Sequence, residues 1–148
     1  MSRSIEERLQ RLEDLEEIRD LVKDYARHLD VRDFDAYSAL FARDGEWAGA
    51  SGRAATPAGI KGMLEERITP RVEAPGETHF HLIADPQIVL DGDGATARTT
   101  WALIVRGADD TPVLRFYGHY ADTLVREDGR WRFAQRLTYT DVPDKPPV

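Results

Sequence analysis

The sequence predicts an α+β domain, a cone-shaped α+β barrel in which three N-terminal helices pack on a strongly curved, mostly antiparallel sheet. Three observations carry this. Apolar residues recur with helical period as far as Leu29, the period switches to strand alternation beyond residue 77, and Asp128-Gly129 sits between two long alternating runs as a two-residue hairpin turn. Helices first and strands afterwards define the class. Strands this long twist and coil, and a curled sheet covered by helices leaves a hollow suited to a small ligand.

Ser4 and Glu7 have the spacing of a capping box. Ile5, Leu9, Leu12, Leu15, Ile18, Leu21, Val22, Tyr25 and Leu29 then follow the period of a first helix. Dense Glu, Arg and Asp in its first half read as a solvated face or a contact with a second subunit. Asp33 caps a second helix that reaches about Phe41. Asp44-Gly45 reads as a turn and Glu46-Trp47-Ala48 as a short strand. Thr56-Pro57 opens a third helix, with proline at its first position, ending before Pro70. Residues 71–77 read as a loop and 78–90 as one alternating strand, with Pro86 at a bulge or edge. After a turn at 91–94, strands follow over 95–106, 113–126 and 131–139. Residues 1–142 make a single domain and 143–148 a loose tail.

A length of 148 residues fits one core, and 41% hydrophobic residues suffice to fill it, while 32% charged residues supply a water-facing surface. No run of about 18 apolar residues exists, so no membrane-spanning helix is expected. The N-terminus lacks the apolar stretch of a secretory signal. The absence of cysteine excludes disulfides and thiolate metal sites, and a cytoplasmic location follows by default. The net charge of −7 opposes phosphate backbones, and no basic cluster is interleaved with aromatics, so nucleic acid is disfavoured as a partner.

Tyr25, Asp30 and the pair His79 and His81 carry the chemistry. A carboxylate at a helix C-terminus is unfavourable unless something compensates for it. His81 is suited to that role: a carboxylate on one ring nitrogen fixes the tautomer and makes the other a better base. Spacing alone favours the plainer reading, in which Asp30 lies off the apolar face and meets water or loop amides. His79 and His81 share one strand face with Ile83. Their spacing also suits a metal, with Asp30 or His119 as third ligand. Tyr25 lies on the apolar stripe, either as a core tyrosine or as a phenol donating to a substrate carbonyl. With Asp128-Gly129 as the turn, Arg136 opposes Ala121. Tyr117, His119, Ala121, Arg136 and Thr138 then share one face, with Tyr120, Asp122, Leu124, Phe133 and Leu137 on the other. Arg136 is either a surface partner of an acid or a cation for developing negative charge. Trp47 and Trp101 read as core or pocket wall.

The segments 18–30, 33–45, 78–82 and 128–133 resemble the SnoaL-like branch of the nuclear-transport-factor-two-like superfamily. The resemblance spans nearly the whole chain. It implies that Asp30 and His81 form the aspartate–histidine dyad of the dehydratase and dehydrochlorinase members, with Tyr25 and Arg136 at their polar site positions. It implies a metal-free and cofactor-independent lyase or isomerase, dehydration first and double-bond isomerisation second, acting on a small hydrophobic carbonyl compound. On the reading of the residues themselves, His79, Trp47 and Trp101 as pocket wall and His119 by its shared face with Arg136 would contact that substrate. The resemblance also implies a homo-oligomer, trimer or dimer, because an open sheet face exposes apolar surface. The superfamily hosts non-enzymes too. A ligand-binding module, or an accessory subunit like that of ring-hydroxylating dioxygenases, therefore stands as the alternative.

Overall fold

The structure, a computed structural model, describes residues 2–68 and 79–148. Helix α1 (Ile5–Asp30) begins at the capping box, where Ser4 Oγ accepts from Glu7 N–H at 3.1 Å and Ser4 N–H donates to Glu7 Oε2 at 2.7 Å. It buries Ile18, Leu21, Val22, Tyr25 and Ala26, whereas Ile5, Leu9 and Leu12 remain exposed. Helix α2 (Phe34–Ser38) is capped by Asp33, whose carboxylate accepts from Ala36 N–H at 3.0 Å. Helix α3 (Pro57–Arg67) is capped by Thr56 and starts on proline, where a missing N–H costs nothing.

Among the described residues seven strands form one sheet: β1 (Phe41–Gly49), β2 (Gly52–Ala55), β3 (His79–Ile83), β4 (Gln87–Asp91), β5 (Gly94–Arg106), β6 (Pro112–Glu127) and β7 (Arg130–Val142). The order is β2-β1-β7-β6-β5-β3, and β4 also pairs with β5. All pairs are antiparallel except β1 with β7. The helices cover one face of this curved sheet. There Ile18, Val22, Tyr25, Tyr37, Ile60 and Leu64 meet Trp101, Tyr120, Leu124, Trp131 and Phe133 in one apolar core. The fold is the α+β arrangement that the change of period predicts.

Several local expectations need correction. The second helix stops at Ser38, and Phe41 instead starts β1, which pairs with β7 and extends through Asp44-Gly45. Those two residues lie inside a register irregularity between Phe41 and Glu46 rather than in a free turn. Strand β2 was not foreseen. The run 78–90 is two strands, β3 and β4, interrupted at Ala84-Asp85-Pro86. Both halves pair with β5, so the proline falls where no ladder bond is needed. Residues 71–77, read as a loop, lie outside the described residues. Residues 143–148 hydrogen-bond back to the domain, Lys145 to Thr140 and Val148 N–H to Gly49 C=O at 3.2 Å. Among the described residues no helix is long and apolar enough to cross a membrane.

The β6–β7 hairpin turns as predicted, with Asp128 and Gly129 both at positive φ (52° and 76°), the signature of a type I′ turn. Pairing then follows the expected register from Glu127↔Arg130 to Leu124↔Phe133. One residue of β7, Ala134, is extra, and the next pair is Thr123↔Gln135. This bulge reverses the faces beyond it. Arg136 opposes Asp122, not Ala121, and turns inward with Tyr120, Asp122, Leu124 and Phe133. His119 opposes Tyr139 and stays on the outward side.

Candidate active site

Helix α1 delivers Asp30 from its last turn, in the row Val22, Ala26, Asp30 that borders the buried stripe. The helix ends immediately afterwards. Val31 N–H bonds to Arg27 C=O, and Arg32 takes a positive φ of 59°. Strand β3 runs past that border with His79, His81 and Ile83 directed inward and Phe80 and Leu82 outward. Asp30 Oδ1 lies 2.6 Å from His81 Nδ1, and Asp30 Oδ2 accepts from the His81 backbone N–H at 2.9 Å. Both side chains are largely buried, each 14% exposed. A carboxylate only accepts, so Nδ1 carries the proton and Nε2 holds the lone pair of a base. The two N–H donors also offset the unfavourable placement of a carboxylate at a helix C-terminus.

Aromatic rings lead away from this pair. The His81 ring lies 6.0 Å from Trp101, Trp101 stacks on Tyr120 at 5.8 Å, and Tyr120 meets Tyr25 edge-on at 5.4 Å. Tyr25 is buried, and its hydroxyl accepts from Trp47 Nε1–H at 2.9 Å, which leaves the phenolic proton for another acceptor. A cavity of about 100 Å³ adjoins Tyr25, Leu29 and Trp47, closed by Met63, Leu64 and Ile68. Burial pushes the phenols of Tyr37 and Tyr120 well above their ordinary value, so both stay neutral.

Arg136 is fully buried. Its Nε and Nη2 donate to the two Asp122 carboxylate oxygens, each at 2.7 Å. The guanidinium is boxed by the rings of Tyr25, Tyr120 and Phe133 at 4.0, 3.9 and 4.2 Å. Desolvation opposes its charge, but the Asp122 carboxylate more than offsets this and holds its pKa above the ordinary guanidinium value. Arg136 Nη1, Trp101 Nε1 and Thr99 Oγ1 are buried without hydrogen-bond partners among the described residues.

The structure thus brings Asp30 and His81 together and sets Tyr25, Trp47, Trp101 and Arg136 along the same interior. His79 lies on the inward row of β3, two residues from His81. His119 does not join them. On the outward face it bonds through Nδ1 to Asp141 at 2.7 Å and stacks on Tyr139 at 4.5 Å. It therefore lies across the sheet from the paired histidines and does not complete a metal set with them. Among the described residues no three metal-ligating side chains converge. Sequence reasoning missed Asp122 as the partner of Arg136, because the bulge at Ala134 has no glycine or proline to mark it. It also missed the cavity walls from α3 and the β1–β2 turn.

Three helices on one face of a curved, mostly antiparallel sheet define an α+β fold of the cystatin-like type. The sequence matches the SnoaL-like domain family over residues 10–137, and the chain belongs to that family. Among solved structures, an NTF2-like protein with a cystatin-like fold from Novosphingobium aromaticivorans is 27% identical, with a TM-score of 0.80 over 89% of this chain and 84% of that one. A candidate scytalone dehydratase from the same organism is 26% identical, with a TM-score of 0.68 over 88% and 85% of the two chains. LinA shares the fold at 20% identity, with a TM-score of 0.77 over 95% of this chain and 92% of its own. No curated protein matches the sequence.

Proposed function

We propose that the protein is a cofactor-independent lyase or isomerase of the dehydratase type, which removes a proton alpha to the carbonyl of a small hydrophobic molecule. The contact between Asp30 Oδ1 and His81 Nδ1 at 2.6 Å carries this reading. Asp30 orients the ring and stabilises the imidazolium that forms. Nε2 takes the proton, a step that contributes on the order of a hundredfold to ten-thousandfold. Negative charge then develops on the carbonyl oxygen. Tyr25 supplies an O–H aligned by its bond from Trp47, and the buried cation of Arg136 lies beneath the ring. Arg136 positions Tyr25 and supplies positive potential. Stabilising an enolate in a water-poor interior is worth roughly 3 kcal/mol per donor. In a dehydration the electron pair of the enolate expels the beta hydroxyl, which leaves as water by taking back the proton held on His81 Nε2, so that the base is restored. In an isomerisation it is reprotonated at another carbon.

Membership in the SnoaL-like family and the similarity to the candidate scytalone dehydratase support the dehydratase class. A non-catalytic binding module would not need an acid held against an imidazole in this geometry. The outward Phe80, Leu82 and Val89, all exposed, support self-association as a dimer or trimer, which sedimentation analysis counts.

Exchange of the alpha protons of a small cyclic ketone such as 2-indanone with deuterated water, followed by NMR, tests the dyad without knowledge of the natural substrate. The native chain should accelerate exchange, and Asp30→Asn and His81→Gln should each lower the rate at least a hundredfold while remaining folded. Exchange by Asp30→Asn at the native rate would rule the dyad out.

A further inference from the structure

The cavity beside Tyr25 is mostly apolar, with Trp47, Leu64 and Ile68 among its walls, and its lining also includes Ser51 and Arg67. Among the described residues Arg67 is the one charged residue of the lining, at the last position of α3. The buried or sheet-packed arginines Arg126 and Arg136 are held by Asp14 and Asp122, and Arg19 and Arg53 pair with Asp85 and Glu46. Arg67 has no hydrogen bond or ion pair with any described residue.

Its guanidinium lies flat against Gly52. A Cβ at that position would stand 2.6 Å from both Nη1 and Nη2 and 2.9 Å from Cζ. Gly52 has a φ of 142°, a conformation that excludes side chains, so the β1–β2 turn forms a bare backbone shelf for this one cation. A favourable interaction with the end of α3 explains a positive charge in its last turn. It does not explain why that charge is laid over a glycine in the lining of an aromatic cavity.

We propose that Arg67, with Ser51, is the anion-reading end of the cavity, so that the substrate of the dyad is a hydrophobic carbonyl compound carrying a carboxylate. The proposal rests on the proton-abstraction reading for the word substrate, but its geometry stands without it. A guanidinium presents a planar fork that matches a carboxylate in two parallel hydrogen bonds, and a serine hydroxyl adds a third. The cavity of about 100 Å³ is on the scale of one small ring, so a ring among the aromatic walls and a carboxylate against Arg67 use different parts of the lining.

Isothermal titration of the full chain with benzoate and with its neutral isostere benzamide, at low ionic strength, is the test. Neither probe reacts, so the outcome is independent of whether Asp30 and His81 move protons, and the two proposals fail separately. Benzoate should bind about tenfold more tightly than benzamide, a gap that 0.5 M salt narrows because the guanidinium is exposed. Arg67→Gln should weaken benzoate about tenfold and leave benzamide within twofold. Arg67→Lys should fall between, because it keeps the charge and loses the fork. Equal affinities for the two probes, an unchanged preference in Arg67→Gln, or no binding of either would each overturn the proposal. A melting curve for each variant checks folding, and the salt series on the native chain tests the ion pair should Arg67→Gln fail to fold.

Discussion

Replacing Asp122 by asparagine keeps the shape of the side chain and removes the carboxylate bonded to Arg136. The pair is bidentate, with both bonds at 2.7 Å and both side chains at 0% exposure. At that separation and an effective dielectric of about 20, the Coulomb attraction is roughly 6 kcal/mol. Desolvation offsets much of that in the intact pair, but the single variant strands a guanidinium among rings, and stranded buried charges cost about 3–5 kcal/mol. The three rings at about 4 Å soften this cost, since each cation–π contact is worth about 1 kcal/mol. A net loss of about 3 kcal/mol follows. For a chain of this length it lowers the melting temperature by roughly 10 °C. Urea unfolding followed by tryptophan fluorescence measures the loss directly. The double variant Asp122→Leu with Arg136→Met should recover most of it, because an apolar pair of similar volume needs no partner. If Asp122→Asn costs less than about 1 kcal/mol, the buried pair is not the structural unit described above.

Three further outcomes are open to measurement. Burial alone would raise the Asp14 carboxyl, but hydrogen bonds from Trp131, Arg126 and Gln10 outweigh it and hold its pKa below the ordinary 3.8. A depressed native pKa adds stability that is complete above 3.8 and lost as pH falls through the lower native value, so the acid limb of a stability–pH curve should flatten in Asp14→Asn. Trp47→Phe keeps a ring but removes the donor to the Tyr25 hydroxyl, and should cost about 1 kcal/mol in urea unfolding; no loss would mean the 2.9 Å bond is unimportant. Gly118→Ala would place its Cβ 1.9 Å from the Tyr139 carbonyl oxygen, and should cost about 3 kcal/mol or more by the same assay, with a value under about 1 kcal/mol refuting so close an approach of β6 and β7.

What the sequence reveals here depends on how local the deciding physics is. The Ser4–Glu7 box, the Asp33 and Thr56 caps and the Asp128-Gly129 turn each settle themselves within four residues, and all appear at the predicted positions. The inward pairing of His79 and His81 follows from a period of two. Asp30 meeting His81 was legible through the family resemblance, not through spacing, because 51 residues separate them and the contact depends on where β3 passes the end of α1. The bulge at Ala134 is decided by the demands of β6 and the core on Phe133 and Arg136, and an alanine gives no sign of it. Counting residues from the turn was sound as far as Phe133 and wrong beyond. The β1 strand was hidden for a similar reason: Asp44-Gly45 has turn chemistry, yet parallel pairing with β7 draws it into the sheet.

That parallel pairing has a bearing on how the protein is made. Strand β1 lies early in the chain, and the strand it hydrogen-bonds to, β7, is the last. While β7 is still inside the ribosome, the β1–β2 ribbon has a free edge and the rings of Phe41 and Trp47 have no lasting cover. Contacts this far apart in sequence form slowly, and intermediates with open edges are prone to associate. Synthesis rate and chaperone supply should therefore govern soluble yield more than the final stability does, and a chain cut before Arg130 should accumulate in the insoluble fraction.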